Sequence, residues 1–108
     1  MNVTELAKQI IGNYGKHGWK LRRALLTADA RSAFVDQIKE AERDVELIDS
    51  DFDALWFARP SHGNREAWEL RLLAEQQYAL FEAFEADEAE EDRDQVRHEM
   101  EARMREHR

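Results

Sequence analysis

The side chains able to do chemistry are few and scattered. Four histidines, His17, His62, His98 and His107, are spread along 108 residues that contain no cysteine. None stands in a His-Glu-x-x-His or Glu-x-x-His spacing, the patterns that set two metal ligands on one helix face. Asp94 and His98 are four residues apart and would share a helix face. A lone pair on so charged a segment is expected to be solvated. Asp49, Asp51 and Asp53 alternate like the first ligands of a calcium loop. The position that needs glycine for the sharp turn is Ala54, and the position that needs a bidentate glutamate is Pro60, so the pattern breaks. Ser61 and His62 adjoin in a turn, and nothing orients them as nucleophile and base. No serine is framed by glycines, and no two carboxylates share an apolar setting. The expectation is a protein that is not an enzyme and has no catalytic residue, no metal and no cofactor.

The most motif-like stretch is Ile10-Ile11-Gly12-Asn13-Tyr14-Gly15-Lys16. Its GxxG turn, after an apolar helix end and before a run of bases, resembles locally the KH RNA-binding turn. That resemblance implies backbone clamping of phosphates, with Lys16, Lys20, Arg22 and Arg23 neutralising charge and Tyr14 or Trp19 stacking on bases. It covers about seven residues, and no strand precedes it as a KH fold requires. A helix stop followed by a flexible loop is therefore the leading reading. The same glycines make no nucleotide-binding loop, because His17 follows Lys16. Residues 19–48 could be a helix-turn-helix, but the recognition helix would present Asp36, Glu40 and Asp44 to phosphates. Nucleic-acid binding through the basic head at 12–23 stays as the alternative function.

Charge points elsewhere. The net charge is −8, and it is unevenly spread. Residues 1–32 carry +4, residues 33–94 carry −13 and residues 95–108 carry +1. A basic head on an acidic body fits contact with another protein that has a basic surface, or with a second copy of the chain. The absence of cysteine excludes disulfides and suits a reducing compartment. No apolar run approaches the ~20 residues of a membrane span, and Met1-Asn2-Val3-Thr4-Glu5 opens no export signal. The expected location is cytoplasmic.

These residues must be positioned by one domain. Asn2 and Glu5 read as the cap of a helix over 2–11, ended by Gly12. Residues 19–26 suit a helical turn or two. After Thr27 and Asp29, the residues Phe34, Ile38, Ala41, Val45 and Ile48 step by four and three, which predicts a helix over 30–48. Residues 51–58 read equally as a short helix or a strand, stopped by Pro60. From Asn64 onward there is no glycine or proline, and residues 65–84 place apolar side chains on two opposite helical faces. The broad face holds Leu70, Leu73, Leu80, Phe81 and Phe84. The narrow one holds Trp68 and Leu72. The seven acids of residues 85–94 should fray or bend this helix, and Val96, Met100 and Met104 form a thin stripe beyond them.

The fold expected is all-α: about four helices with a long C-terminal helix, residues 1–94 forming the domain and 95–108 a tail that docks weakly or between chains. The competing reading is α+β with a short antiparallel meander at 54–84, in which Trp68, Leu70 and Leu72 alternate with Glu69 and Arg71. The expected core is Leu6, Ile10, Leu21, Leu25, Phe34, Ile38, Val45, Ile48, Phe52, Trp56, Leu70, Leu73, Leu80, Phe81 and Phe84. The expected function is a non-enzymatic protein-binding regulator, inhibitor or assembly factor, with a homodimer as one expected form. Trp68, Leu72, Glu75, Glu82, Glu85, Asp87, Glu88 and Glu91 are the candidate contacts. In one version the acidic body imitates nucleic acid, as small acidic helical phage and plasmid proteins do, a likeness of composition only.

Overall fold

The computed structural model describes residues 3–107, apart from the side chains of Val3 and Phe34. The Asn2 cap and the place of Phe34 in the core therefore lie outside the described residues. The chain is α+β, not a helical bundle. Three α-helices, α1 (Val3–Lys16), α2 (Ala28–Ala41) and α3 (Glu90–His107), enclose five strands, and a short 3-10 helix spans His62–Asn64. These are β1 (Lys20–Leu26), β2 (Glu46–Asp49), β3 (Ala54–Pro60), β4 (Glu66–Leu72) and β5 (Ala79–Phe84). The sheet order is β2-β1-β3-β4-β5. β1 and β2 are parallel and joined through α2; every other neighbouring pair is antiparallel.

The molecule has two cores, one on each face of the sheet. On one face α1 and α2 bury Ala7, Ile10, Ala30 and Ile38 against Leu21, Ala24, Leu26, Leu55 and Phe57. On the other, α3 buries Met100 and Met104 against Leu25, Trp56, Trp68, Leu70 and Phe84. The central strand β3 feeds both cores alternately, so the run Ala54 to Ala58 is buried without interruption. That is the signature of a strand covered on both sides.

Several helix expectations fail for a common reason. Residues 19–26 form β1, and the segment 65–84 is not a helix but the β4–β5 hairpin, as the meander reading held. Leu, Ala, Glu and Gln favour helix only by tenths of a kcal/mol per residue. Pairing two strands and burying one face under α3 outweighs that. The α2 helix stops at Ala41 rather than near Ile48, because Glu46–Asp49 are taken by β1 as a parallel neighbour. Gly12 does not end α1. The helix runs through Gly12 and Gly15, and Gly18 ends it with φ of 82°. There Trp19 N–H donates to Tyr14 O and Gly18 N–H donates to Gly15 O, at 3.1 Å each. That hydrogen-bond pair is a Schellman cap, which requires the left-handed conformation glycine tolerates.

Local signals fared better. Thr27 caps α2, its hydroxyl accepting from Ala30 N–H at 3.3 Å. Of the acidic stretch, Glu90, Glu91 and Asp92 occupy the first turn of α3, where carboxylates complement the helix dipole. The expected tail belongs to α3, whose Met100 and Met104 are almost completely buried.

Candidate partner-binding edge

The feature that distinguishes one part of the surface is the free edge of β5. Leu72 N–H donates to Tyr78 O at 3.0 Å, and the register continues with Leu70 opposite Leu80, Trp68 opposite Glu82 and Glu66 opposite Phe84. In an antiparallel ladder the bonded pairs recur every second residue. The peptide groups of Leu80, Glu82 and Phe84 thus face β4, while those of Ala79, Phe81 and Ala83 face away from the sheet. The outward Ala83 N–H is met by the Glu82 carboxylate at 3.3 Å.

Side chains alternate with the same period. Leu80 and Phe84 point into the core under α3. Phe81 points to the other face, beyond the cover of α1 and α2, and at 57% exposure it is the only large apolar side chain left exposed among the described residues. It stands edge-on to Trp19, with ring centroids 6.4 Å apart. Trp19 is fixed from behind. The Arg59 guanidinium lies 4.4 Å from its ring centroid and donates to His17 O at 2.6 Å. Trp19 meets Tyr14 edge-on at 6.0 Å, and Tyr14 stacks on Phe57 at 4.1 Å. A row of four rings therefore runs from the solvent at Phe81 to the buried Phe57. The Tyr14 hydroxyl donates to the Glu69 carboxylate. Burial raises its pKa well above the ordinary phenol value, the Glu69 hydrogen bond and charge add to that, and Arg71 opposes it. Tyr14 is a neutral donor anchored beneath the edge.

Acids lie close to β5 along the chain. Glu75 precedes β5, Glu82 lies within it, and Glu85, Asp87 and Glu88 follow it. Glu85 is bridged by Arg65 at 3.0 Å, and Glu88 accepts from Glu85 N–H at 2.8 Å. Five of the six acids singled out in the sequence thus lie within or next to one strand along the chain. The sixth, Glu91, is exposed in the first turn of α3.

The apolar contacts expected from sequence lie elsewhere. Trp68 and Leu72 are 3% and 8% exposed and belong to the core between the sheet and α3. Trp68 is enclosed by arginines. A bulge in β1 sets Arg23 opposite Trp56 with Arg22 as the extra residue. Both guanidinium groups reach the Trp68 ring, at 5.1 Å for Arg22 and 5.5 Å for Arg23. Arg97, itself 1% exposed, lies 4.3 Å from the same ring. Asp94 bonds the Arg97 Nη2 at 2.7 Å, and Glu90 bonds it too. The hydrogen bond from Arg97 holds the Asp94 carboxyl below its ordinary pKa, against a smaller effect of burial, with the Arg97 and Arg23 charges assisting.

The GxxG stretch of the basic head does not form the turn that the KH resemblance implies. Gly12 and Gly15 lie inside α1 rather than in a turn, Lys16 ends that helix, and Lys20 begins β1. Arg23 is paired with Glu46 at 3.1 Å and Asp94 at 3.3 Å. Asp94 serves arginines rather than His98, and His107 stacks on Tyr78 at 3.5 Å. His17 and His62 share the rim of a shallow depression with Gly18, Arg59, Pro60 and Ser61. Among the described residues no group of three or more His, Asp or Glu could hold a metal ion, and no helix is long and apolar enough to cross a membrane. Sequence reasoning missed Phe81 as a surface residue and missed Arg59; Trp19 it named only as a stacking surface for bases. The one available signal was the alternation in Ala79-Leu80-Phe81-Glu82-Ala83-Phe84. No protein family, curated protein or solved structure matches the chain.

Proposed function

We propose that this chain is a non-enzymatic protein-binding module that captures an extended segment of another protein as a sixth strand along β5. The observation that carries the reading is the combination on one edge of three outward peptide units, at Ala79, Phe81 and Ala83, with an exposed aromatic ring. Strand addition uses just these parts: main-chain hydrogen bonds give affinity, and alternate side chains find apolar contacts beside the edge. The small side chains of Ala79 and Ala83 leave room on either side of Phe81 for those of the incoming strand. Carboxylates close to an apolar strand along the chain favour a polypeptide partner over imitation of a nucleic-acid backbone.

The test is selection of a displayed library of random linear peptides on the purified protein. Binders of alternating apolar pattern are expected, with amide chemical-shift changes centred on Ala79 to Ala83. Phe81→Lys, at an exposed position, should keep the fold by circular dichroism and lose all of them. Recovery of no binder, or of binders indifferent to Phe81→Lys, would overturn the reading.

A further inference from the structure

The shallow depression shared by His17 and His62 carries no acid. His17 and Gly18 line it from the cap of α1, and Arg59, Pro60, Ser61 and His62 line it from the end of β3 and the turn that follows. This is in a chain with 24 acids and a net charge of −8. Elsewhere the fold sets arginines against carboxylates, as it does Arg23, Arg31, Arg65, Arg93, Arg97 and Arg105. Arg59 is held differently. It is half-buried, its guanidinium lies 4.4 Å from the Trp19 ring centroid, and one of its nitrogens donates to His17 O at 2.6 Å. Among the described residues no carboxylate pairs with it. A guanidinium partly withdrawn from water without a counter-ion is costly, and an anion bound from outside offsets that cost.

We infer that this depression is a binding site for a phosphate group, free or as a monoester. Every polar side chain lining it can donate: the Arg59 guanidinium, the Ser61 hydroxyl and the two imidazoles. His17 Nδ1 lies 2.9 Å from Asn13 O, and a carbonyl only accepts, so Nδ1 carries the hydrogen. Nε2 is then the nitrogen left for a ligand, and it donates when the ring is protonated. Ser61 makes no capping bond to the short helix after it, which leaves its hydroxyl for the same use. Both walls are fixed by the main chain. The Gly18 cap sets one, and in the other Ser61 N–H donates to Arg65 O at 2.9 Å while Arg65 N–H donates to His62 O at 3.2 Å. The negative end of the α1 dipole lies close by and opposes an anion. Its carbonyls are largely satisfied: Tyr14 O accepts from His17 and Trp19, Gly15 O accepts from Gly18, and His17 O accepts from Arg59. The fixed charge of Arg59 disfavours a metal ion on the two histidines. Because the depression is shallow, whatever the phosphate is attached to projects into solvent.

The full chain can be titrated at neutral pH with inorganic phosphate and, separately, with O-phosphoserine, the ionic strength being held constant with chloride. Nuclear magnetic resonance should show saturating shifts at the Gly18 amide, the Arg59 side chain and both histidine rings. Tighter binding of O-phosphoserine assigns the site to a monoester, and equal binding assigns it to free phosphate. Arg59→Lys, which keeps the charge but loses the planar fork, should weaken binding about tenfold. His62→Ala, at an exposed position in the turn, should also weaken it and leave amide signals outside the depression unchanged, so a loss there is not a loss of fold. Lys39→Ala, on α2, should change nothing. Shifts that fail to saturate, shifts as large around Lys8 and Lys39 as around the depression, or binding indifferent to both Arg59→Lys and His62→Ala would overturn the inference.

Discussion

The two edges of the sheet are built in opposite ways. β2 has four residues, Glu46-Leu47-Ile48-Asp49. Both of its acids are tied down, Glu46 by Arg23 at 3.1 Å and Asp49 by Arg31 at 2.9 Å. Leu47 packs toward α1 and α2, and Ile48 packs toward α3. A short, charged, side-chain-latched edge gives a foreign strand little to pair with. β5 has six residues, and Glu82 is its one charge. Its inner face is packed, but its outer face exposes Phe81. This difference between the two edges is what the proposal of strand docking on β5 rests on. β2 is part of the core with a polar rim. β5 is a core strand on one side and a surface on the other.

That contrast can be broken or sharpened by substitution. The largest effect is expected inside β5. Phe84→Ala, which empties a buried aromatic site under α3, should lower unfolding free energy by about 3–4 kcal/mol in urea titration. A small loss would mean that the inner face of β5 is not truly packed. On the opposite edge, Ile48→Ala removes a half-buried side chain, and about 1–2 kcal/mol is expected. Strand-peptide affinity should not change, and a loss of binding there would merge the two edges into one functional surface.

A smaller effect concerns the latch that joins β2 to α3 through Arg23. Asp94→Asn should destabilise by less than about 1 kcal/mol at neutral pH, since the group is part-exposed and screened. Because the folded pKa of Asp94 is depressed, its contribution is fully present above the ordinary carboxylate pKa near ~4 and is lost as pH falls below that through the folded value. The gap between wild type and variant should therefore be constant from neutral pH down to about pH 4 and close below it. A gap that closes well above that pH would remove Asp94 as its origin. The smallest stability effect is expected for Phe81→Lys, within about 0.5 kcal/mol of wild type, with higher solubility at high protein concentration. Marked destabilisation would show that Phe81 is a core residue after all.

Phe81 and Trp68 show where the sequence could be read and where it could not. As a helix, residues 65–84 place Phe81 on the broad apolar face and Trp68 on a separate stripe open to a partner. As strands, Trp68 pairs with Glu82, so Phe81 falls on the opposite face of the sheet, and their roles exchange. Both readings draw on the same apolar residues, and the period alone decides between them. The rest of the expected core is less sensitive to this choice. Ile10, Leu21, Leu25, Ile38, Val45, Phe52, Trp56, Leu70, Leu73 and Phe84 are all buried, and Leu6, Ile48 and Leu80 are partly so. The clustering of Glu75, Glu82, Glu85, Asp87 and Glu88 was legible as composition. That they lie within or next to an edge strand was not.

What this sequence determined by itself is what depends on a few neighbouring residues. The apolar face of α1, the Thr27 cap of α2, the stop at Pro60 and the Met100–Met104 stripe all follow from contacts made within a turn or two. The strands and the site were decided only by the tertiary structure. Leu21 meets Phe57 and Leu25 meets Ile48 across tens of residues, and β5 becomes an edge only because nothing among the described residues pairs beyond it. Helical signals lie along the chain, whereas a strand's main-chain bonds, its buried face and its freedom to accept a partner are properties of its neighbours in space.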